Sequence, residues 1–242
     1  MAKLKKLLTI LILFATLTFS TSCITLVQSQ DKQVVNDFTS NGIITATFTV
    51  DVYQKVNANS EKHAQGSGVA FSKQEEFGGK FTYYLLTNNH VISNGETYVV
   101  RDCFGGEHTA TRVKSNAKYD LAILKFTSSN SFKILNFVKS DVSVNDKVIA
   151  VGAPNGQINA VTLGNVVRYT FVTVDGHGSD SNVNFKVIEH NAPIYSGSSG
   201  GVLLNYSYEI CGINYATSAS EEGEFVSAYA VSASKVLEFI NG

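Results

Sequence analysis

A serine, a histidine and an aspartate in this chain occur in settings that suit nucleophilic catalysis. Ser199 lies within Gly197-Ser198-Ser199-Gly200-Gly201, a pattern that can lift a hydroxyl onto a tight turn among converging backbone N–H groups. Such a serine needs a base near its hydroxyl and a third group that orients the base. The pentapeptide alone is equally typical of a flexible loop rich in Gly and Ser, so the other residues must decide.

His90 and Asp120 are the best candidates for the base and for the group that orients it. His90 ends the strand-like run of residues 83–89, which would hold it rigidly, and Asp120 stands directly before the apolar run of residues 121–124. Each has an ordinary alternative, a core histidine for His90 and a turn residue at a strand start for Asp120. We interpret three other histidines as solvated turn residues, namely His63, His108 and His177. His190, shortly before the serine loop, can line a pocket or end a strand.

The elements that must position these residues are mostly β-strands. The chain has 242 residues, 44% of them hydrophobic, with abundant Val, Ile, Thr, Tyr and Phe and two prolines. Its formal net charge of −1 gives no reason to expect nucleic acid as a partner. Short β-type runs between turn clusters predict a barrel or sandwich. We expect strands at residues 43–53, 68–72, 81–87, 97–101, 110–114, 121–126, 147–151, 160–169, 184–189, 201–204, 210–215 and 225–231.

The strand runs form two halves of about six strands each, with a polar patch at residues 127–131 between them. This arrangement predicts paired barrels joined by a linker. The last residues change to a helical period, so we expect a short C-terminal helix over residues 232–241.

The N-terminus has the pattern of a signal peptide over residues 1–22. Lysines precede an apolar run too short to span a membrane comfortably, and small residues then lead to Cys23. A cysteine at this place resembles the bacterial lipoprotein cleavage box, although Ser20 stands where leucine is usual. A lipidated, membrane-anchored protein, ordinary secretion and an uncleaved anchor are the alternatives, and all three imply export. Residues 23–41 then form an N-terminal tether or arm.

If Cys23 carries lipid, two cysteines remain, Cys103 and Cys211. They can pair in an oxidising compartment or exist as two buried thiols, because both lie near apolar strand-like runs.

Three segments together resemble the triad regions of trypsin-like serine proteases, and in detail those of the bacterial HtrA/Deg group. They are Thr87-Asn88-Asn89-His90-Val91-Ile92, Asp120-Leu121-Ala122-Ile123-Leu124 and the glycine-rich pentapeptide at residues 197–201. The likeness extends to Gly66-Ser67-Gly68-Val69, to residues 151–156 and to Gly212-Ile213-Asn214-Tyr215-Ala216. It covers about residues 40–240. It implies an all-β fold of two six-stranded antiparallel barrels, with the protease domain at residues 42–242, the N-terminal barrel at about 42–126 and the C-terminal barrel at about 141–231.

The resemblance implies that Ser199 is the nucleophile, His90 the general base and Asp120 the residue that orients it. The backbone N–H groups of Gly197 and Ser199 would form the oxyanion hole. The expected function is an exported serine endopeptidase that cleaves exposed or unfolded proteins through an acyl-enzyme. The alternative is a protease-fold module that binds peptides or acts as a chaperone with little turnover. No cofactor and no metal ion are expected.

Other implications concern specificity and regulation. The base of the primary specificity pocket should lie near Pro193, and Asn214, Tyr215 and Ala216 should form a pocket wall. Because this set is not acidic, we expect small aliphatic residues before the cut rather than Lys or Arg. A glutamate preference through His190 is the alternative.

Ser198 replaces the aspartate that pairs with a cut N-terminus in digestive enzymes, so no zymogen cleavage is expected beyond signal removal. The chain stops at Gly242, so no PDZ domain is expected within it. The resemblance also raises trimer formation, common in the family, and the glycine-rich loop at residues 174–182 is a candidate for controlling the oxyanion hole.

Overall fold

A computed structural model describes residues 31–57, 60–156, 159–172 and 180–242. Residues 31–40 are helical (α1), and the chain separates after Asn41 into two compact units, the second of which is Gly42–Gly242. No helix among the described residues is long and apolar enough to cross a membrane. The signal-peptide region, Cys23, His177 and residues 174–179 of the glycine-rich loop lie outside the described residues.

The second unit consists of two closed antiparallel barrels, each with six strands in its described part. Around the first barrel the strands follow the order β1-β2-β3-β6-β5-β4, and around the second β10-β11-β12-β9-β8-β7. The first barrel contains β1 (Thr47–Asn57), β2 (Ser60–Glu76), β3 (Lys80–Thr87), β4 (Thr97–Arg101), β5 (Glu107–Asn116) and β6 (Leu121–Ser128). The second contains β7 (Lys147–Gly152), β8 (Ala160–Thr170), β9 (Val187–His190), β10 (Val202–Leu204), β11 (Ile210–Ala219) and β12 (Phe225–Ser232).

The described residues of this unit also form two short α-helices, a single turn α2 (Asn89–Ile92) and the C-terminal α3 (Ala233–Asn241). The predicted all-β class, the two six-stranded barrels and the short C-terminal helix are therefore confirmed.

Two local expectations were wrong. Ile43–Ala46, expected as the start of a strand, forms a 3₁₀ helix. The hydroxyls of Thr45 and Thr47 donate to the carbonyls of Gly42 and Ile44, a local bonding pattern that competes with strand pairing. His63 and His108, expected in turns, lie in β2 and β5.

The two barrels have different cores. Phe48, Tyr83, Phe126 and Phe132 form an aromatic cluster inside the first barrel, with ring centroids 5.1–6.0 Å apart. The second barrel is filled by smaller aliphatic side chains such as Ala150, Ile188 and Leu203. Because both interiors are filled by side chains, the cleft that holds the candidate site lies outside them.

Candidate active site

His90 and Asp120 form a buried pair at one end of the first barrel. His90 lies in the single turn α2 directly after β3, and its Nδ1 is 2.7 Å from Oδ2 of Asp120. The other carboxylate oxygen, Oδ1, accepts a hydrogen bond from the backbone N–H of His90 at 2.9 Å. Because a carboxylate only accepts, these contacts assign the proton to Nδ1 and leave Nε2 as the basic nitrogen of the ring.

The backbone around Asp120 is fixed by its own contacts. Asp120 precedes β6, is fully buried and has a positive φ of 50°, which is uncommon for a residue with a side chain. Nδ2 of Asn88 donates to the Asp120 carbonyl at 2.8 Å. Asn88 therefore fixes the backbone of Asp120, and Asp120 in turn orients the His90 ring.

Ser199 lies in the loop between β9 and β10 of the second barrel, and hydrogen bonds hold the carbonyls of residues 195–199. The N–H of Asn155 donates to the Ser196 carbonyl at 3.0 Å, and that of Ser198 donates to the Tyr195 carbonyl at 2.9 Å. The Ser198 carbonyl accepts from the N–H of Gly201 at 2.9 Å.

Several N–H groups of this loop have no acceptor among the described residues, and two of them flank Ser198. Among the described residues, no oxygen accepts a hydrogen bond from the N–H of Gly197 or of Ser199. In a planar trans peptide the C=O and N–H point in opposite directions. The Ser196 carbonyl faces Asn155, so the N–H of Gly197 points away from it. These are the two donors that the resemblance assigned to an oxyanion hole.

Gly197 has a backbone conformation that requires glycine. Its φ is +94°, and a Cβ built at this position would lie 2.6 Å from the Ala153 carbonyl oxygen. A side chain would therefore force the loop to move.

Ser199 and His90 line a single cleft of about 400 Å³, and Asp120 is buried behind His90. Four of its lining residues come from the first barrel, namely Ala64, Gln65, His90 and Val91. Eight come from the second, namely Ile194, Tyr195, Ser196, Gly197, Ser199, Tyr215, Ala216 and Thr217. Among these described residues there is no Asp, Glu, Lys or Arg side chain. The cleft can therefore accept an uncharged chain beside a nucleophile, a base and two N–H donors.

The four residues expected in the specificity pocket divide into two groups. Tyr215 and Ala216 line the cleft, whereas Pro193 lines a neighbouring cleft of about 420 Å³ together with Ser198 and Asn155. Asn214 is fully buried and lies behind the nucleophile loop, where its backbone bonds Gly200 and Gly201 at 2.9 and 2.8 Å.

His190 contacts the side chain of Asn214. Its Nε2 is 3.1 Å from Oδ1 of Asn214, and its side chain is fully buried. Desolvation by burial lowers the pKa of His190 to about 4, so it is neutral at pH 7. His190 lines neither cleft, and the proposed glutamate preference gains no support from its position.

Three sets of contacts made by buried side chains were not predicted from the sequence. Ser67 bonds the nucleophile loop from the opposite barrel, and the only available signal was its place in the quoted motif Gly66-Ser67-Gly68-Val69. His63 and His108 contact the buried carboxylates of Asp51 and Asp102, each at 2.9 Å. The first pair joins two different strands, and the second joins a residue just after β4 to a residue of β5. No local sequence pattern therefore predicts either pair.

Cys103 and Cys211 are free thiols in the structure, Cys211 buried as the second alternative expected and Cys103 partly exposed. Burial raises the pKa of both, that of Cys211 to about 12.

Comparison with known proteins places this geometry in a family. The sequence matches the trypsin-like peptidase domain over residues 66–213, more than half of the chain. The chain belongs to the trypsin-like peptidase family. Within that family the domain is HtrA/Deg-like. It is 36% identical to the "Serine protease Do-like HtrA" of Bacillus subtilis over 161 residues, covering 65% of this chain and 34% of the relative.

A second relative of this trypsin-like peptidase domain is the "Probable periplasmic serine endoprotease DegP-like" of Rhizobium meliloti. The two are 32% identical over 179 residues, covering 74% of this chain and 33% of the relative. The chain thus spans about a third of the length of these curated relatives.

Solved structures share the fold of this trypsin-like peptidase domain. The "HtrA-type protease AlgW with tripeptide" matches with a TM-score of 0.70 and 24% identity, covering 86% of this chain and 62% of that one. A protease from M. tuberculosis in its active form matches with a TM-score of 0.69 and 18% identity, covering 86% and 85%.

Proposed function

We propose that the chain is a serine endopeptidase that hydrolyses peptide bonds through an acyl-enzyme. The observation that carries the proposal is the composition of one cleft. It contains Ser199, the His90 ring held by Asp120, and two backbone N–H groups without a protein acceptor among the described residues. These are the parts that acyl transfer by a serine requires.

The first half of the proposed reaction forms the acyl-enzyme. Nε2 of His90 takes the proton from Oγ of Ser199 while that oxygen attacks the peptide carbonyl carbon. The carbonyl oxygen becomes an anion that the N–H groups of Gly197 and Ser199 stabilise. The protonated ring, stabilised by the Asp120 carboxylate, then gives its proton to the amine as the C–N bond breaks.

The second half releases the acid product. Water enters the place that the amine has left, gives a proton to Nε2 of His90 and attacks the ester carbon. The C–Oγ bond then breaks and the proton returns to Ser199. Asp120 stays ionised throughout, because its role is to hold the tautomer and to stabilise the charged ring.

The described lining of the cleft supports a preference for small aliphatic residues before the cut. Ile194 and Ala216 line it with aliphatic side chains, and no described lining residue pairs with a substrate charge. Mapping of cut sites on a denatured proteome by mass spectrometry tests this preference. Cuts mainly after Lys, Arg or Glu would contradict it.

The substrate class and the location follow from the relatives and from the N-terminal sequence. The relatives are named as a serine protease and as a periplasmic endoprotease, and the matched AlgW structure holds a tripeptide. We extend this to exposed or unfolded protein as substrate and to export of the chain. Lipidation of Cys23, proposed from its position after small residues, is tested by labelling with a fatty-acid analogue in wild type and Cys23→Ser.

The deciding experiment compares wild type with Ser199→Ala, and uses Ser207→Ala at an exposed turn as the matched serine control. We expect wild type and the control to cleave casein and to react with a fluorophosphonate, in which Oγ of Ser199 displaces fluoride. Ser199→Ala should fold normally and do neither. Peptide binding without cleavage in all three proteins would instead favour the chaperone-like alternative.

A further inference from the structure

Ser67 is a buried residue of β2 that bonds the nucleophile loop from the first barrel. Its hydroxyl donates to the Gly197 carbonyl at 2.7 Å and accepts from the N–H of Ala153 at 2.8 Å. Its backbone N–H donates to the Ser199 carbonyl at 2.7 Å. Its own carbonyl accepts from the Thr87 hydroxyl at 2.7 Å. Every polar group of Ser67 therefore has a partner, and two of the partners are the residues of the proposed oxyanion hole.

These contacts fix the peptide planes on both sides of Gly197. Asn155 holds the carbonyl before Gly197, and the Ser67 hydroxyl holds the carbonyl after it. Because each peptide is planar, the bond from Asn155 fixes the direction of the Gly197 N–H, and the bond from the Ser67 hydroxyl fixes that of the Ser198 N–H, which shares a peptide with the Gly197 carbonyl. Without the Ser67 hydroxyl, the plane after Gly197 keeps only the bond from the Ser198 N–H to the Tyr195 carbonyl.

The same strand fixes the peptide after the nucleophile. The bond from the Ser67 N–H to the Ser199 carbonyl needs β2 to lie very close to the loop. A Cβ at Gly66 would be 2.9 Å from that carbonyl oxygen and 2.7 Å from the Val91 side chain. A glycine before Ser67 thus permits the approach that the bond requires.

We propose that Ser67 is a positioning residue that holds the peptides after Gly197 and after Ser199, and that this restrains, through the Cα atoms of these two residues, the peptides that carry the Gly197 and Ser199 N–H groups. Ser67 does not line the cleft and acts through the loop alone. The inference rests on the proposed function, since the two N–H groups matter there as an oxyanion hole. It adds a residue of the first barrel, 1% exposed, to the groups that set the rate.

Ser67→Ala removes the hydroxyl and leaves the backbone bonds of β2 in place. We expect kcat for a peptide substrate to fall by about 10–100-fold, with KM within about 3-fold, because loss of one complete oxyanion donor costs about 100–1,000-fold. A peptide boronate, whose tetrahedral adduct places an oxygen in the proposed hole, should bind more weakly by a similar factor. A product peptide should bind as it does to wild type.

Thr49→Val is the matched control. Thr49 lies directly across from Ser67 on β1, is also 1% exposed, and its hydroxyl has no hydrogen-bond partner among the described residues. Its substitution should leave kcat and boronate affinity unchanged. Equal losses in Thr49→Val and Ser67→Ala would overturn the proposal, as would a Ser67→Ala enzyme with wild-type kcat.

Ser67→Cys keeps a donor at the same position, weaker and on a larger atom, and tests the inference if the alanine variant does not fold. Its kcat should lie between those of wild type and Ser67→Ala, with a normal unfolding transition. A kcat equal to that of wild type would contradict the role of the hydroxyl.

Failure of the two proposals can be told apart. If folded wild type hydrolyses no peptide and resists the fluorophosphonate, the proposed function fails. The positioning role is then tested on the same proteins by the NMR amide shifts of Gly197 and Ser199. These should move in Ser67→Ala and not in Thr49→Val, and unchanged shifts would refute the positioning role on their own.

Discussion

The variant Gly197→Ala tests whether the backbone conformation of Gly197 is needed for catalysis. At φ +94° an alanine is strained by about 1–3 kcal/mol. Its Cβ would also lie 2.6 Å from the Ala153 carbonyl oxygen, closer than Cβ atoms approach in folded proteins, and 3.1 Å from the Asn155 nitrogen, which is a tight contact. The loop must therefore move, and the bond between Asn155 and the Ser196 carbonyl is the one nearest to the clash.

The kinetic effect should exceed the effect on stability. Turning the N–H of Gly197 out of the cleft removes one oxyanion donor, which corresponds to about 2.7–4 kcal/mol or a loss of about 100–1,000-fold in kcat. Because the ground-state contacts of the substrate lie elsewhere in the cleft, KM should change little. Hydrolysis of a chromogenic peptide and thermal unfolding measure the two effects separately.

Gly78→Ala is the control for backbone strain alone. Gly78 has a similar φ of +84°, but nothing lies within 4 Å of its built Cβ, and it is at the turn between β2 and β3, away from the residues that line the cleft. It should lower stability by about 1–2 kcal/mol and leave kcat unchanged. If Gly197→Ala kept kcat within about 3-fold of wild type, the assignment of its N–H to the oxyanion hole would be refuted.

Three further outcomes are expected. Asp120→Asn preserves shape but favours the wrong His90 tautomer, so kcat should fall about 1,000–10,000-fold in ester hydrolysis, and a loss under about 10-fold would contradict the role of Asp120. The His190 pKa of about 4 lies below the unfolded value of 6.5, so the unfolded state binds more protons between these values and stability falls as pH drops from about 6.5 towards 4. Urea unfolding of wild type should lose about 2 kcal/mol more between pH 7 and pH 5 than His190→Gln, and equal losses would be evidence against the buried neutral ring. In a Cys23→Ser background, a thiol reagent should modify partly exposed Cys103 in the native protein and Cys211 only on unfolding, whereas equal rates would show that Cys211 is accessible.

The sequence predicted the strands well because strands leave local signals, and signals of the same kind mark the triad candidates, which stay a prediction. Thr97–Arg101 has the same limits in sequence and structure, and Asp120 directly precedes the apolar strand that was expected after it. His90 was expected at a strand end and instead lies in the single turn α2, which is held partly by bonds from its backbone and ring to Asp120. The turn α2 depends on Asp120, which lies in another part of the chain. The local sequence around His90 therefore does not predict the turn.

The residues that the sequence did not predict make contacts with residues distant from them in the chain. His63 lies beside the buried Asp51 because β1 and β2 pair in a register that no periodicity reveals. Pro193 was assigned to the pocket by its spacing from Ser199, and it lines the neighbouring cleft, which shares Ile194 and Tyr195 with the cleft of Ser199. Spacing along a chain gives order, whereas a tight turn decides which side each residue faces.

The nucleophile loop is held in its conformation by neutral hydrogen bonds and by packing of Ser198. Ser198 is buried, and its Cβ is the atom that a Cβ at Gly152 would meet first, at 2.9 Å. The loop carbonyls are held by Asn155, Ser67 and Gly201, all through neutral hydrogen bonds. A carboxylate buried at position 198 would need a cationic partner to offset its desolvation, whereas a serine needs none. The described contacts thus orient the two N–H groups without an ion pair, which supports the expectation that no zymogen cleavage is required.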